Sequence, residues 1–189
     1  TRRRLRITYV KGWGNEGRRA STRQIAPYHI VNLQGAWYLL GSASRKDDTW
    51  HQYALSRITH AEVMEESVEI PDRFDIKAIV DCSFGQFLGK PEDAVDIQVR
   101  FKSTVAPLIE SRRFAATEQR HPLDNGDIEV TFKASPAGRW PYYNIKSWIL
   151  SWGADAEVLA PEPLQNLVQE EISKMAARLS GQKPRESCG

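Results

Sequence analysis

The stretch "NLQGAWYLLG", residues 32–41, holds the turn and the strand around which the first part of the chain is organised. Gln34 and Gly35 are typical of a tight turn, and the apolar residues after them indicate a strand. Successive side chains of a strand point to opposite faces, so Trp37 and Tyr38 cannot share one. We predict that Trp37 packs in a core and that Tyr38 lies on a more exposed face, where it could bind a ligand.

Further short strands flank this stretch on both sides. "RLRITYV" (4–10) alternates between apolar and polar residues, and "STRQIAPYHIVNL" (21–33) contains Pro27, which indicates an edge strand or a bulge. "TWHQYALSRITHAEVM" (49–64) predicts a strand that breaks near Ser56 and then resumes. Several short strands joined by tight turns, within about 65 residues, favour a small antiparallel barrel.

The pattern changes after Pro91. A strand, a short helix, a hairpin turning at Asn125-Gly126, a second helix, a strand and a long last helix follow in that order. This βαββαβ order with a terminal helix indicates a ferredoxin-like unit. The apolar residues of the last helix form one stripe: Leu164, Leu167, Val168, Ile172, Met175, Ala176 and Leu179.

We therefore predict an α+β protein with two domains. The predicted parts are a small β-barrel at 1–66, a linker with a short helix at 67–93, the ferredoxin-like domain at 94–180 and a disordered tail at 181–189.

The net charge of +2 is unevenly distributed over the 189 residues. Residues 1–66 carry 11 Lys and Arg against 6 Asp and Glu, a balance of +5, whereas residues 67–189 carry 15 against 18, a balance of −3. A basic first part can attract phosphate groups. A solvated basic face without a ligand explains the same excess, and the sequence leaves both interpretations open.

The sequence contains no motif of a common enzyme class. A P-loop, GxGxxG, GxSxG and HExxH are all missing, and the four histidines are isolated, so we expect a non-enzyme without metal or cofactor. The apolar runs are too short to cross a bilayer, and no signal peptide opens the chain. Two cysteines far apart, Cys82 and Cys188, do not make a disulfide framework, which favours a cytoplasmic location.

Three ordered elements of the first part, Arg23 to Pro27, Gly35 to Leu39 and His51 to Ile58, resemble the WYL domain, named for its Trp-Tyr-Leu triplet. Further on, "IQVRF", "ESRRFAATEQ", "NGDIEVTF" and "WILSWGADAEVLAPEPLQNLVQEEI" resemble the C-terminal extension called WCX. The resemblance covers roughly residues 5 to 179.

The resemblance implies a bacterial transcriptional regulator that forms a homodimer. In such proteins an N-terminal winged helix-turn-helix binds operator DNA, and the WYL domain, an Sm-like barrel of the SH3 type, senses an effector that is single-stranded DNA in some members. Since this chain begins at Thr1 within a strand pattern, we expect a fragment without the helix-turn-helix. The expected partner is a nucleotide or a single-stranded nucleic acid, and the candidate binding residues are Tyr9, Arg23, Tyr38, His51 and Arg57.

Two residues depart from the family pattern. His51 stands where the family usually has Arg, and Ser56 replaces a frequent Asp. Because a histidine is often neutral at cytoplasmic pH, one positive charge of the expected site could be absent or conditional. The alternative hypothesis is a module for protein interaction and dimerisation that binds no small ligand, and an enzyme is a more distant third.

Overall fold

The computed structural model describes residues 2–11, 19–44, 49–136 and 141–181, which divide between two units. The first unit ends at Ile76 and the second begins at Lys77.

Five antiparallel strands form the sheet of the first unit, in the order β4-β3-β2-β1-β5. Their bounds are β1 Arg3–Val10, β2 Ala20–Leu33, β3 Ala36–Ser42, β4 His51–Ala54 and β5 Ile58–Ser67. The break predicted near Ser56 is confirmed, because a single 3-10 turn, Leu55–Arg57, separates β4 from β5. The register shift between Pro27 and His29 confirms a bulge in β2.

The small core of this unit lies on one face of the sheet. It consists of Ile7, Tyr9, Ile25, Leu39 and Tyr53. These positions follow the alternation read from the sequence, since Leu5 pairs with Ile25 and Leu39 pairs with Tyr53, and paired residues of antiparallel strands share a face. Outside this core, the ring of Phe74 packs against Tyr28 and Trp50.

The predicted barrel is present as an open sheet in the described residues, with β4 and β5 at its two edges. A side chain takes the place of backbone pairing near this opening: the Ala54 N–H donates to the Tyr9 hydroxyl at 3.3 Å. The coarser prediction, an α+β protein whose first part is a small antiparallel sheet, is confirmed.

The second unit follows the predicted order of elements. After helix α1 (Ile76–Asp81) come β6 (Val95–Phe101), α2 (Ala106–Glu110), β7 (Gln119–Pro122), β8 (Ile128–Ala134), α3 (Tyr143–Leu150), β9 (Ala156–Ala160) and α4 (Glu162–Leu179). The four strands pair antiparallel in the order β7-β8-β6-β9. Gly126 adopts φ +84° in the β7–β8 turn, as the Asn-Gly pair predicts.

A larger core holds the second unit together. Alternate residues of β6, among them Ile97, Val99 and Phe101, are fully buried against the helices. Aromatic rings complete the core: Phe101 lies 5.4 Å from Trp148 and 5.7 Å from Trp152, between ring centroids. The stripe of α4 is buried only in its first half, at Leu164 and Val168. Among the described helices, none has the length and apolarity to cross a membrane.

The buried ring of Phe101 gives a test of this core. Phe101→Ala should lower the free energy of unfolding by about 3–5 kcal/mol, because it removes a large buried side chain and leaves a cavity. Leu108→Ala, at a position 53% exposed on α2, is the control and should cost about 0.5 kcal/mol or less. Urea unfolding followed by tryptophan fluorescence measures both. Equal losses in the two variants would contradict this packing.

Candidate functional site

Residues from three strands meet at one end of the first sheet's core face. Arg23 of β2 pairs with the buried Ile7 of β1, so its side chain starts from the core face and not from the outer one. Its guanidinium carbon lies 5.9 Å from the centroid of the Tyr9 ring, a cation–π distance. His51 and Tyr53 share a face of β4, and their rings meet edge to face at 6.3 Å. We call Tyr9, Arg23, His51 and Tyr53 the Arg23 cluster.

Tyr9 and Tyr53 form the floor of the Arg23 cluster. Their rings are perpendicular, with centroids 5.5 Å apart, and both are buried. Such an edge-to-face pair adds about 0.5–1.5 kcal/mol to the burial of the rings. Tyr9, a candidate ligand residue, is thus placed mainly in the core, where its hydroxyl already accepts the Ala54 N–H.

The hydroxyl of Tyr53 is buried and has no hydrogen-bond partner in the described part of the chain. Burial raises the pKa of this phenol. The Arg23 guanidinium acts in the opposite direction, through its close approach to the hydroxyl oxygen and through its charge, although the two groups do not meet in good hydrogen-bond geometry. An unsatisfied buried hydroxyl costs about 1–3 kcal/mol. A ligand atom that accepts this O–H would recover that cost, so the hydroxyl is a candidate donor that the sequence assigned only to the core.

Arg23 faces no carboxylate among the described residues. Its Nε donates to the Ser21 hydroxyl at 3.3 Å, and its guanidinium also lies close to the Tyr53 hydroxyl. Other arginines of the same sheet are neutralised, since Arg4 pairs with Glu66 at 3.1 Å and Arg6 with Glu62 at 2.7 Å. The charge of Arg23 is therefore available to an anion.

His51 stands exposed at the rim of the Arg23 cluster. It pairs across the sheet with Gly41, which also pairs with Pro27. A Cβ at Gly41 would lie only 2.4 Å from the carbonyl oxygen of Ala26, so the close approach of β2 and β3 requires glycine here. The imidazole adds a further polar group at this rim, above the Tyr53 ring.

The other two candidate residues are not in the Arg23 cluster. Tyr38 pairs with Val31 and Ala54 and points to the face opposite Leu39, half-buried. Arg57 lies at the end of the 3-10 turn after β4, and its guanidinium has no hydrogen bond or ion pair to the residues that the structure describes. Tyr38 and Arg57 remain sequence-based candidates.

Trp37 is not a core residue, and the prediction that it packs inside is wrong. Its side chain is 55% exposed, although it shares a strand face with the buried Leu39. The reason is its place beside the turn at Gln34 and Gly35: β4 covers Leu39 through Tyr53 but ends at Ala54, before it reaches Trp37. An exposed indole on the core face of the sheet is a surface on which a flat ring can stack.

Among the described residues, no three His, Cys, Asp or Glu side chains lie close enough together to hold a metal ion.

Two family models match the chain. Residues 1–63 match the WYL domain and residues 93–176 match the WCX domain. No curated protein matches the sequence significantly.

Solved structures resemble the chain at low sequence identity. The proteasome accessory factor B/C (PafBC) of Arthrobacter aurescens is 19% identical, with a TM-score of 0.36, over 99% of this chain and 27% of that one. A CRISPR Cas-related protein is 12% identical, with a TM-score of 0.59, over 94% of this chain and 48% of that one. The second likeness is one of fold, and this chain spans only about a quarter and about half of the two proteins.

The unpaired hydroxyl of Tyr53 gives a prediction on stability. Tyr53→Phe removes a buried group without a partner, so the free energy of unfolding should stay unchanged or rise by about 1 kcal/mol. Tyr9→Phe is the matched control: it deprives the Ala54 N–H of its acceptor and should cost about 1–2 kcal/mol. Urea unfolding compares the two. A loss in Tyr53→Phe as large as in Tyr9→Phe would mean that the Tyr53 hydroxyl has a partner after all.

Proposed function

Because the chain carries a WYL domain followed by a WCX domain, we propose that it is the effector-sensing and dimerisation portion of a bacterial transcriptional regulator. Its effector is a nucleotide or a single-stranded nucleic acid, bound on the core face of the first sheet. In this proposal the protein works in the cytoplasm as a homodimer, is not an enzyme, and acts on operator DNA through a further N-terminal domain.

The observation that carries the ligand proposal is the arginine without a counter-ion at the Arg23 cluster. A guanidinium held over an aromatic ring, with no carboxylate among the described residues, is suited to a phosphate, which it can bind through two parallel N–H groups. His51 adds a conditional second charge, and the Tyr53 hydroxyl adds a donor. These three groups together fit an anionic oxygen ligand better than a neutral one.

Trp37 favours a strand of several nucleotides over a single nucleotide. On β3, Trp37 lies four residues from Gly41, the partner of His51, which is roughly 13 Å at about 3.3 Å per residue. A phosphate at the Arg23 cluster and a base stacked on Trp37 therefore belong to different nucleotides of one strand. Stacking of this kind is worth about 1–3 kcal/mol per base and tolerates any sequence.

The two sheets fit the folds implied by this proposal. The first sheet is interpreted as the Sm-like sheet of the SH3 type, with its opening between β4 and β5. The second, with strand order β7-β8-β6-β9 and helices between the strands, is interpreted as ferredoxin-like.

A protein-interaction module is the second candidate function, and β5 favours it. This ten-residue strand lies at the edge of its sheet, and Val63, on the core face beside Leu5, is 61% exposed. An open edge strand can pair with a strand of another protein. A complex in which protein covers Arg23 and His51 would support this function over ligand sensing.

Removal of the Arg23 charge tests the ligand site. With a short fluorescent single-stranded oligonucleotide at low salt, Arg23→Ala should weaken binding by about tenfold or more, because a charge-assisted contact worth about 1.5–3 kcal/mol is lost. Arg6→Ala, which removes a charge already neutralised by Glu62, is the matched control and should change affinity by about twofold or less. Fluorescence anisotropy gives both constants.

The same titration also tests a substitution that should strengthen binding. His51→Arg makes the second charge permanent and should tighten binding by several-fold, about what one added phosphate contact contributes at low salt. The nucleic-acid hypothesis would be contradicted if the native chain did not bind the oligonucleotide at low salt, or if Arg23→Ala bound it with the same affinity.

Ligand length separates the roles of Trp37 and Arg23. Trp37→Ala should weaken binding of an oligonucleotide by about fivefold or more through the lost stacking, and should leave binding of a mononucleotide unchanged. Arg23→Ala should weaken both. Competition with unlabelled mononucleotide and oligonucleotide measures the difference. If Trp37→Ala weakens both ligands equally, the indole and the Arg23 cluster bind the same nucleotide.

A further inference from the structure

A small cleft lies in the second unit, at the start of helix α3. Its aromatic lining includes Phe84, Phe87 and Tyr143, and Ser135 and the first turn of the helix also line it. The rings of Phe87 and Tyr143 meet edge to face, with centroids 6.1 Å apart. The enclosed part has room for a group of about the size of one water molecule, and the rest is open to solvent. We call this space the α3 cleft.

The first turn of α3 brings hydrogen-bond donors to the α3 cleft. The N–H groups of a first turn have no acceptor inside their own helix, and the N-cap residue, Tyr142, supplies none from its side chain. The N–H groups of Asn144 and Ile145 also find no acceptor elsewhere in the part of the chain that the structure describes. Because the helix dipole is positive at this end, these donors favour an anion.

Ser135, directly after β8, adds a third donor. The residue is only 6% exposed, and its hydroxyl has no hydrogen-bond partner among the described residues. Gly89 closes one side of it, since a Cβ at Gly89 would lie 2.4 Å from the Ser135 Oγ. The α3 cleft is the open space beside Ser135, so an acceptor for this buried hydroxyl would come from there.

The backbone around the α3 cleft is held in uncommon conformations. Tyr142 has a φ of +59°, in the left-handed region that side chains other than glycine rarely adopt. Gly85 has a φ of +77°, and a Cβ there would lie 2.6 Å from Asn144 Nδ2, the atom that donates to the Phe84 carbonyl at 3.0 Å. Such strain persists where the surrounding structure enforces it, and it clusters at ligand sites.

The lining of the α3 cleft selects a carboxylate among the anions. Three donors without a matched acceptor suit an anionic oxygen, and the enclosed part takes about one such atom. The lining contains no Lys or Arg among the described residues, and Lys146 of α3 is already paired with Glu171 at 2.8 Å. A single negative charge therefore fits better than the double charge of a terminal phosphate. The aromatic residues can contact a flat apolar group in the open part.

We propose that the α3 cleft binds a small aromatic carboxylate. One carboxylate oxygen accepts the O–H of Ser135 and the N–H groups of Asn144 and Ile145, and the ring of the ligand packs against Phe87 and Tyr143. This site gives the second unit a ligand of its own. It shares no residue with the Arg23 cluster, so the inference goes beyond the proposed function and stands or falls independently of it.

Titration with benzoate, followed by ¹H–¹⁵N NMR of the whole chain, tests the proposal. The amide signals of Asn144 and Ile145 should shift and saturate with a Kd of about 1 mM or tighter, because both N–H groups gain an acceptor. Benzamide has nearly the same shape but no charge. It should bind at least about tenfold more weakly, since it forms no charge-assisted hydrogen bond.

A pair of serine variants connects the binding to the α3 cleft. Ser135→Ala should weaken benzoate binding by about fivefold or more, because a donor to the carboxylate is lost. Ser147→Ala, at an exposed position of the same helix, is the matched control and should leave the affinity unchanged. Ser135→Ala removes a buried group without a partner, so it should fold, and its amide signals outside the α3 cleft should match those of the native chain.

Three results would overturn the proposal. Signals of Asn144 and Ile145 that do not respond to benzoate up to about 50 mM would mean that the α3 cleft holds water only. Equal affinity for benzoate and benzamide would mean that the aromatic residues bind any flat ring. Unchanged affinity in Ser135→Ala would place the carboxylate elsewhere.

Discussion

The first unit depends on the contact between Tyr9 and Tyr53. Tyr9 lies on β1 and Tyr53 on β4, and these strands are separated in the sheet by β2 and β3. The perpendicular stacking of the rings, with the Ala54 N–H donated to the Tyr9 hydroxyl, joins strands that no backbone hydrogen bond connects. The sheet therefore curves over its core although its edges do not pair. Because the Tyr9 ring also lies beneath Arg23, the same contact positions the charge of the candidate site.

The Arg23 cluster is a place where local stability is not optimised. The buried hydroxyl of Tyr53, which lacks a partner among the described residues, costs free energy that a Phe would avoid. In natural proteins such violations concentrate at functional sites, where a ligand supplies the missing partner. On the opposite face of the same sheet, Arg6 is paired with Glu62 at 2.7 Å.

Most of the fold was accessible from the sequence because its strands alternate cleanly and its turns carry their usual residues. The break near Ser56, the bulge at Pro27 and the element order of the second unit all follow from local pattern. Trp37 was predicted wrongly because the alternation of a strand gives the face of a side chain but not whether another strand covers it. The unpaired hydroxyl of Tyr53 was equally out of reach, since hydrogen-bond partners come from distant strands. The exposed half of α4 was hidden for the same reason, because its stripe is continuous in sequence.

The charge difference between the two parts of the chain is best explained by which charged side chains form ion pairs. In the second unit, cations are matched with neighbouring acids: Arg100 contacts Glu129 and Glu157, and Lys102 contacts Asp127. The contact with Glu129 raises the pKa of Arg100, and the same contact lowers the pKa of the Glu129 carboxyl. A cation in such a pair is already neutralised, so it attracts a further anion only weakly. Arg23 has no acid beside it in the described part of the chain, so the phosphate attraction that we propose belongs to this one site and not to the net charge.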